Sequence, residues 1–171
     1  MIVYHSNRSD GDNTVVKAYG FKQWFGDGYY FWQDKDFAEF WGRTHVCKNG
    51  ICSYNLYVVD LDVDFDSDNV LDTVFNENDY NFFVEVYDKF ASNFFERKKK
   101  KPTIEEFNFF IGNKKIFGDN IIAIRFADNP NNSKVDYVKI MDLHYRKRIQ
   151  IAVFENGVHK VLNYTTILKN K

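Results

Sequence analysis

The chain has 171 residues and a formal net charge of −1, which fits one domain and gives no global field to favour nucleic acid or an anionic membrane as partner. Hydrophobic residues make up 44% and aromatics 19%, enough to bury a core without staples. The abundance of Phe, Tyr, Asn, Lys and Ile is also what an AT-rich genome produces, so spaced aromatics carry more weight than single ones.

In chain order, Ile2 to His5 reads as a short strand and Ser6 to Thr14 as a polar loop. Val15 to Phe21 is short and mixed. Gly26 to Trp32 is a turn feeding an aromatic strand. Asp34 to Trp41 reads as a helix, capped by Asp34 or Asp36, with Phe37, Phe40 and Trp41 on one face. Val46 to Val63 reads as a hairpin turning at Asn49-Gly50, with Cys47 and Cys52 facing one another as reduced thiols or, against the compartment, as a disulfide. One such pair without further ligands is no zinc site, and no metal is expected. Asp62, Asp64, Asp66 and Asp68 alternate, but they lack the Gly and Glu of a calcium loop and read as the acidic edge of a strand.

Asp72 to Arg97 reads as a helix with a wide apolar face, ended by the basic run Arg97–Lys101 and Pro102. Thr103-Ile-Glu-Glu is a capping box opening another helix. Ile121 to Ala127 is a strand, and Asp128 to Ser133 a loop. Val135 to Leu143 is strand or short helix, and Arg148 to Phe154 is a strand. Glu155 to Val158 has hairpin-turn chemistry. Strands at both ends and helices between, at about 68–118, predict a single α+β domain over 1–171.

No run approaches the ~18 apolar residues of a membrane span. The N-terminus lacks the apolar stretch of a signal peptide, so a cytoplasmic protein is expected.

The stretch from Phe25 to Trp41, FGDGYYFWQDKDFAEFW, suggests a site. A Gly-x-Gly turn lets the backbone pass close to a ligand, because no Cβ is in the way. Tyr30 and Trp41 lie eleven residues apart, one on a strand and one on the next helix. Folded back, they flank a slot suited to a flat, cationic heteroaromatic ring. His5, from a separate strand, adds hydrogen bonds beside it. The plain alternative makes Tyr30 and Trp41 core aromatics and His5 a satisfied strand histidine.

Tyr4-His5-Ser6, then GDGYYF, then Trp41, resembles the NAD-dependent ADP-ribosyltransferase superfamily, in its His-Tyr-Glu branch of diphtheria-toxin-like and poly(ADP-ribose)-polymerase-like enzymes. It is also similar to small bacterial domains of unknown function. The resemblance spans Ile2–Trp41 and extends to Arg148–Phe154. It implies a split β-sheet with flanking helices and NAD, as substrate, in a cleft. It would set His5 on the adenosine ribose, Ser6 and Gly28 along the cofactor, and Tyr30 and Trp41 on either side of the nicotinamide. A Ser that binds the carboxamide in several members is Ala38 here.

The third motif departs further. Where the resemblance implies Glu, this chain has Gln150 in Gln-Ile-Ala-Val-Phe. Breaking the nicotinamide–ribose bond builds positive charge on the ribose, which a carboxylate stabilises. Gln keeps the hydrogen bond and loses the charge. Three readings follow: a mono-transferase using His5, Tyr30 and Gln150; an acid lying elsewhere in the chain; or a module that binds NAD or a nucleotide without catalysis. In the first, Gln150 is expected to face the same cleft as His5 and Tyr30.

The acceptor implied is a macromolecule, nucleic acid slightly ahead of protein. Two basic clusters bear on it: Arg97–Lys101, with Lys98 and Lys99, and His144–Arg148, with Arg146 and Arg148. The plain alternative for both is a solvated face. By analogy the chain resembles a bacterial or phage-related toxin or defence effector, with an antitoxin as partner.

Overall fold

The computed structural model describes residues 1–9, 14–20, 23–47, 52–114, 116–117, 120–128 and 148–170, and side chains only as far as 163 in the last stretch. Asn49-Gly50, Arg146 and the Val135–Leu143 element lie outside these residues. The elements are β1 (Ile2–Arg8), β2 (Tyr29–Trp32), α1 (Lys35–Trp41), a π-helical turn (Gly42–Val46), β3 (Tyr54–Leu61), β4 (Val70–Asp72), α2 (Glu77–Lys98), α3 (Ile104–Lys114), β5 (Ala123–Ala127), β6 (Ile149–Val153), α4 (Glu155–Val161) and β7 (Leu162–Asn170). The fold is mixed α+β, as expected.

All seven strands form one sheet, ordered β4-β5-β6-β2-β1-β3-β7. Only β4 and β5 run parallel. That pairing needs a crossover, and α2 and α3 supply it. At the centre, β2 lies between β1 and β6, with Tyr4 opposite Trp32, Tyr30 opposite Ala152, and Trp32 opposite Gln150.

Alternation along the strands divides the core. One face carries Val3, Phe31, Tyr57, Val59, Ile151 and Val153, covered by Val158 and Val161 of α4. The other face carries two separate patches. Trp32 and Leu56 pack under Phe37 and Ala38 of α1. Leu71, Ile124, Phe126 and Ala152 pack with Phe25 and Tyr30. Phe83 of α2 joins that second patch through Phe25, at 5.9 Å between ring centres.

Local chemistry sets the helix ends. Asp34 caps α1 by accepting from the Asp36 N–H at 2.9 Å. Thr103 and Glu106 form the expected capping box, with reciprocal bonds of 3.2 and 2.8 Å. Helix α2 starts at Glu77 rather than at Asp72, because Asp72 belongs to β4 and accepts from the N–H groups of Val74 and Phe75. Asn76 then caps the helix, and Lys99 ends it in the left-handed conformation, φ 56.

Other expectations are corrected. Of the hairpin expected over Val46–Val63, the described residues carry one strand, β3, and Val46 closes the π-helical turn; the turn at Asn49-Gly50 lies outside the described residues. Cys47 and Cys52 form a disulfide instead of remaining thiols. The acidic stretch after Leu61 is a turn, not a strand edge: Asp64 accepts from the Asp66 N–H at 3.1 Å. Glu155–Val158 opens α4, not a hairpin, since the Phe154 carbonyl accepts from Gly157 and Val158. Strand β7 was not anticipated; it follows from the paired edge that β3 offers. No helix among the described residues is long and apolar enough to cross a membrane.

Candidate functional site

The glycines of the FGDGYYF stretch have two different local duties. Gly26 sits at φ 79, a backbone conformation that side chains disfavour. A Cβ on Gly28 would stand 3.1 Å from the Val153 carbonyl oxygen, so this glycine lets β2 approach β6 closely. Gly28 also exchanges two backbone bonds with Ala18, at 2.8 and 3.1 Å. The close approach that the sequence reserves for a ligand is therefore used, at Gly28, by the protein's own backbone.

Tyr30 is half-buried, and its hydroxyl is engaged. It donates to the Gly26 carbonyl at 2.8 Å and accepts from the Phe25 N–H at 3.0 Å. Burial pushes its phenol up to about 12, so it stays neutral. Its ring meets Phe126 edge-on.

His5 is buried on the opposite face, between Phe31 and Tyr57. Nδ1 bonds the Tyr30 carbonyl at 2.9 Å, and Nε2 lies 3.3 Å from the Val16 N–H. A carbonyl only accepts and an N–H only donates, so the ring is the neutral tautomer protonated on Nδ1. Burial lowers its pKa, against the smaller raising effect of the Tyr30 bond. Ser6 lies on the Tyr30 face, and its hydroxyl donates to the Ala38 carbonyl at 2.6 Å, pinning α1 to β1.

Trp41 does not meet Tyr30. Its ring contacts Trp32 at 5.9 Å and stacks flat on His45 at 3.9 Å and 6°. Tyr30 and Trp41 thus belong to the two different patches on one face of the sheet.

Gln150 lies between those patches. Its cross-strand neighbours are Trp32 on β2 and Phe126 on β5. It shares a face with Tyr30, while His5 faces away, so the expectation of one cleft holding all three is corrected. The cause is register: His5 is opposite Tyr57, and Tyr4 is opposite Trp32, so His5 and Tyr30 fall on alternate sides.

What the sequence reading missed is Asp128. It follows β5, and its N–H bonds the Arg148 carbonyl at 2.7 Å, extending the ladder. Its carboxylate oxygen Oδ2 accepts from Gln150 Nε2 at 3.2 Å and from an Arg148 guanidinium nitrogen at 2.8 Å. The side chains of Arg148 and Asp128 are only 11% and 9% exposed. Burial pushes the Asp128 carboxyl above its ordinary range, outweighing the Arg148 charge, the Gln150 bond and the charge of His45. Arg148 also lies over the rings of Trp32 and Phe37, at 5.2 and 5.6 Å. Its Nε is buried without a hydrogen-bond partner.

Arg148, expected to meet the acceptor or, in the plain alternative, to lie on a solvated face, is instead nearly buried and pairs with Asp128. Lys98 and Lys99 are exposed at the end of α2. Arg146 lies outside the described residues. The signal that could have found Asp128 is an acid closing an apolar strand, IIAIRFAD, beside a strand that starts with Arg and Gln. No group of acidic, His or Cys side chains suited to a metal occurs among the described residues.

Chemically, the seam combines a buried carboxylate, an amide, a guanidinium and aromatic walls. The faces of Trp32 and Phe37 are met by the Arg148 guanidinium, and the polar groups bond one another. No family model, curated protein or solved structure matches the chain.

Proposed function

We propose that this chain is a mono-ADP-ribosyltransferase, taking NAD as substrate and a macromolecule, nucleic acid ahead of protein, as acceptor. The observation that carries the reading is the adjacency of β1, β2 and β6, the three strands that bear YHS, GDGYYF and Gln150. They are remote in sequence, yet β2 stands between the other two, with Gln150 on the Tyr30 face. The strands form one continuous seven-stranded sheet where the resemblance implied a split one, and an ADP-ribosyltransferase-like arrangement of that sheet and its helices belongs to the same proposal.

In the proposed reaction the ribose C1′–N bond breaks and both electrons leave with nicotinamide. An acceptor oxygen or nitrogen attacks C1′ and releases its proton to solvent. The aromatic walls hold the leaving ring, and the polar floor faces the ribose. A bacterial or phage-related toxin or defence role, with an antitoxin partner, is the setting by analogy.

A second reading is a module that binds NAD or a nucleotide without turning it over. It is favoured by the engagement of both His5 ring nitrogens and the Tyr30 hydroxyl within the protein. Incubation with labelled NAD and cell lysate separates the two. Transfer predicts released nicotinamide and a labelled product that nuclease or protease destroys. Binding with no nicotinamide released supports the module, and no binding overturns both readings.

A further inference from the structure

We propose that Asp128 supplies the negative charge that the ribose cation needs, with Gln150 and Arg148 as the residues that position it; this rests on the NAD-transfer reading above. The geometry gives the carboxylate two unlike oxygens. Oδ2 is fixed by Gln150 at 3.2 Å and Arg148 at 2.8 Å. Oδ1 makes no hydrogen bond among the described residues, which leaves one anionic edge for a ligand. Arg148 Nε is buried and makes no hydrogen bond among the described residues, so the guanidinium is tied to Asp128 through Oδ2 and does not engage Oδ1.

The surroundings act on that charge in both directions. Asp128 is buried, so water screens it little. Arg148 opposes it through a 2.8 Å ion pair on Oδ2, and its guanidinium also lies over the rings of Trp32 and Phe37. Burial acts against the ionised form and raises the carboxyl, while Arg148, the Gln150 bond and the charge of His45 act to keep it a carboxylate.

This arrangement accounts for Gln150. A Glu there would set a second carboxylate against Asp128 at hydrogen-bond distance, and like charges so close do not both ionise. Gln donates instead and fixes Asp128. The charge then sits one strand over, on the β5 side of the seam. In the step, the C1′–N bond electrons go to nicotinamide, the acceptor's proton goes to solvent, and Asp128 stays ionised throughout.

The test uses the full chain, NAD alone and NAD with lysate acceptor. Asp128→Asn keeps the shape and removes the charge. It should slow nicotinamide release by roughly a hundredfold or more in kcat, the size of losing one preorganised electrostatic group, with KM for NAD little changed. The exchange Asp128→Asn with Gln150→Glu returns one carboxylate to the same hydrogen bond and should recover roughly tenfold or more of the loss.

If wild type turns NAD over and Asp128→Asn does so equally well, the assignment falls while the transferase reading stands. If wild type neither binds nor cleaves NAD, both fall. Should Asp128→Asn unfold, judged by circular dichroism, the exchange variant decides: folded and active supports the proposal, whereas folded and inactive, or unfolded, assigns the carboxylate to stability and overturns it.

Discussion

The Tyr30 hydroxyl has two partners in one turn, which makes it a structural clamp whatever its ring contacts. Tyr30→Phe keeps the ring and leaves the Phe25 N–H and the Gly26 carbonyl without it. The expected loss is roughly 1–3 kcal/mol of stability, read from the urea midpoint. An unchanged midpoint would mean that the clamp holds nothing. His5 behaves likewise. Its imidazole ties the Tyr30 carbonyl to the segment at Val16 through the interior, so His5→Ala should lower the melting temperature as well as any activity. A stable variant with reduced NAD turnover would return His5 to a purely ligand-facing role. Motif spacing on β1 and β2 was legible in the sequence, whereas the partners of each polar atom were not. Hydrogen bonds to backbone atoms of distant residues leave no residue-type signature.

At the scale of elements, one buried ion pair ties the short strand β4 to the rest of the sheet. Arg125 Nε donates to Asp72 Oδ1 at 2.8 Å, and a second guanidinium nitrogen bonds Oδ2. Phe65 and Phe75 lie over the guanidinium, at 3.7 and 4.7 Å. Burial acts to raise the Asp72 carboxyl, but Arg125 and the N–H groups of Val74 and Phe75 together hold it below its ordinary value. A depressed folded pKa contributes stability that is present above the unfolded value and is lost as pH falls through the folded one. Asp72→Asn should therefore destabilise by roughly 3–5 kcal/mol at neutral pH, because Arg125 is left buried and unpaired. The deficit against wild type should shrink in acid, which a series of urea titrations from neutral to acid pH would read. A constant deficit at every pH would show that the charge of Asp72 contributes nothing.

The π-helical turn is the other informative element. It carries His45, which stacks on Trp41 and whose charge acts on Asp128. The Cys47–Cys52 disulfide closes the chain just beyond it, across a separation of five residues. So short a loop gives up little unfolded-state entropy, and the chain-entropy estimate is about 2 kcal/mol. Reduction should lower stability by about that much and leave the sheet intact. Thermal melts with and without reductant check it. A loss of the far-ultraviolet signature of the sheet on reduction would contradict it.

For the whole molecule, net charge is uninformative and local charge is not. The run Arg97–Lys101 projects from the end of α2, well separated in sequence from the pair in the seam. Lys100 bonds Glu106 at 3.0 Å across the connection to α3, an exposed pair of little weight. If the acceptor is nucleic acid, replacing Lys98 to Lys101 by Ala should weaken modification. It should also flatten the salt dependence, since each lost phosphate contact removes about one unit of slope. Unchanged modification across salt concentrations would take this run out of the acceptor surface.

Sequence alone determined the α+β class, the capping of α1 and α3, the helical middle of the chain and the strand starting near Arg148. Each rests on local chemistry: side-chain caps, apolar periodicity and turn residues act within a few positions. Tertiary structure alone decided which strands are neighbours and which face each side chain takes. Register with a partner strand fixes that face, and a shift of one residue reverses it. It put His5 on one side and Tyr30, Ser6 and Gln150 on the other. It also brought Asp128 to Gln150, an encounter of residues 22 positions apart that depends on β5 lying beside β6.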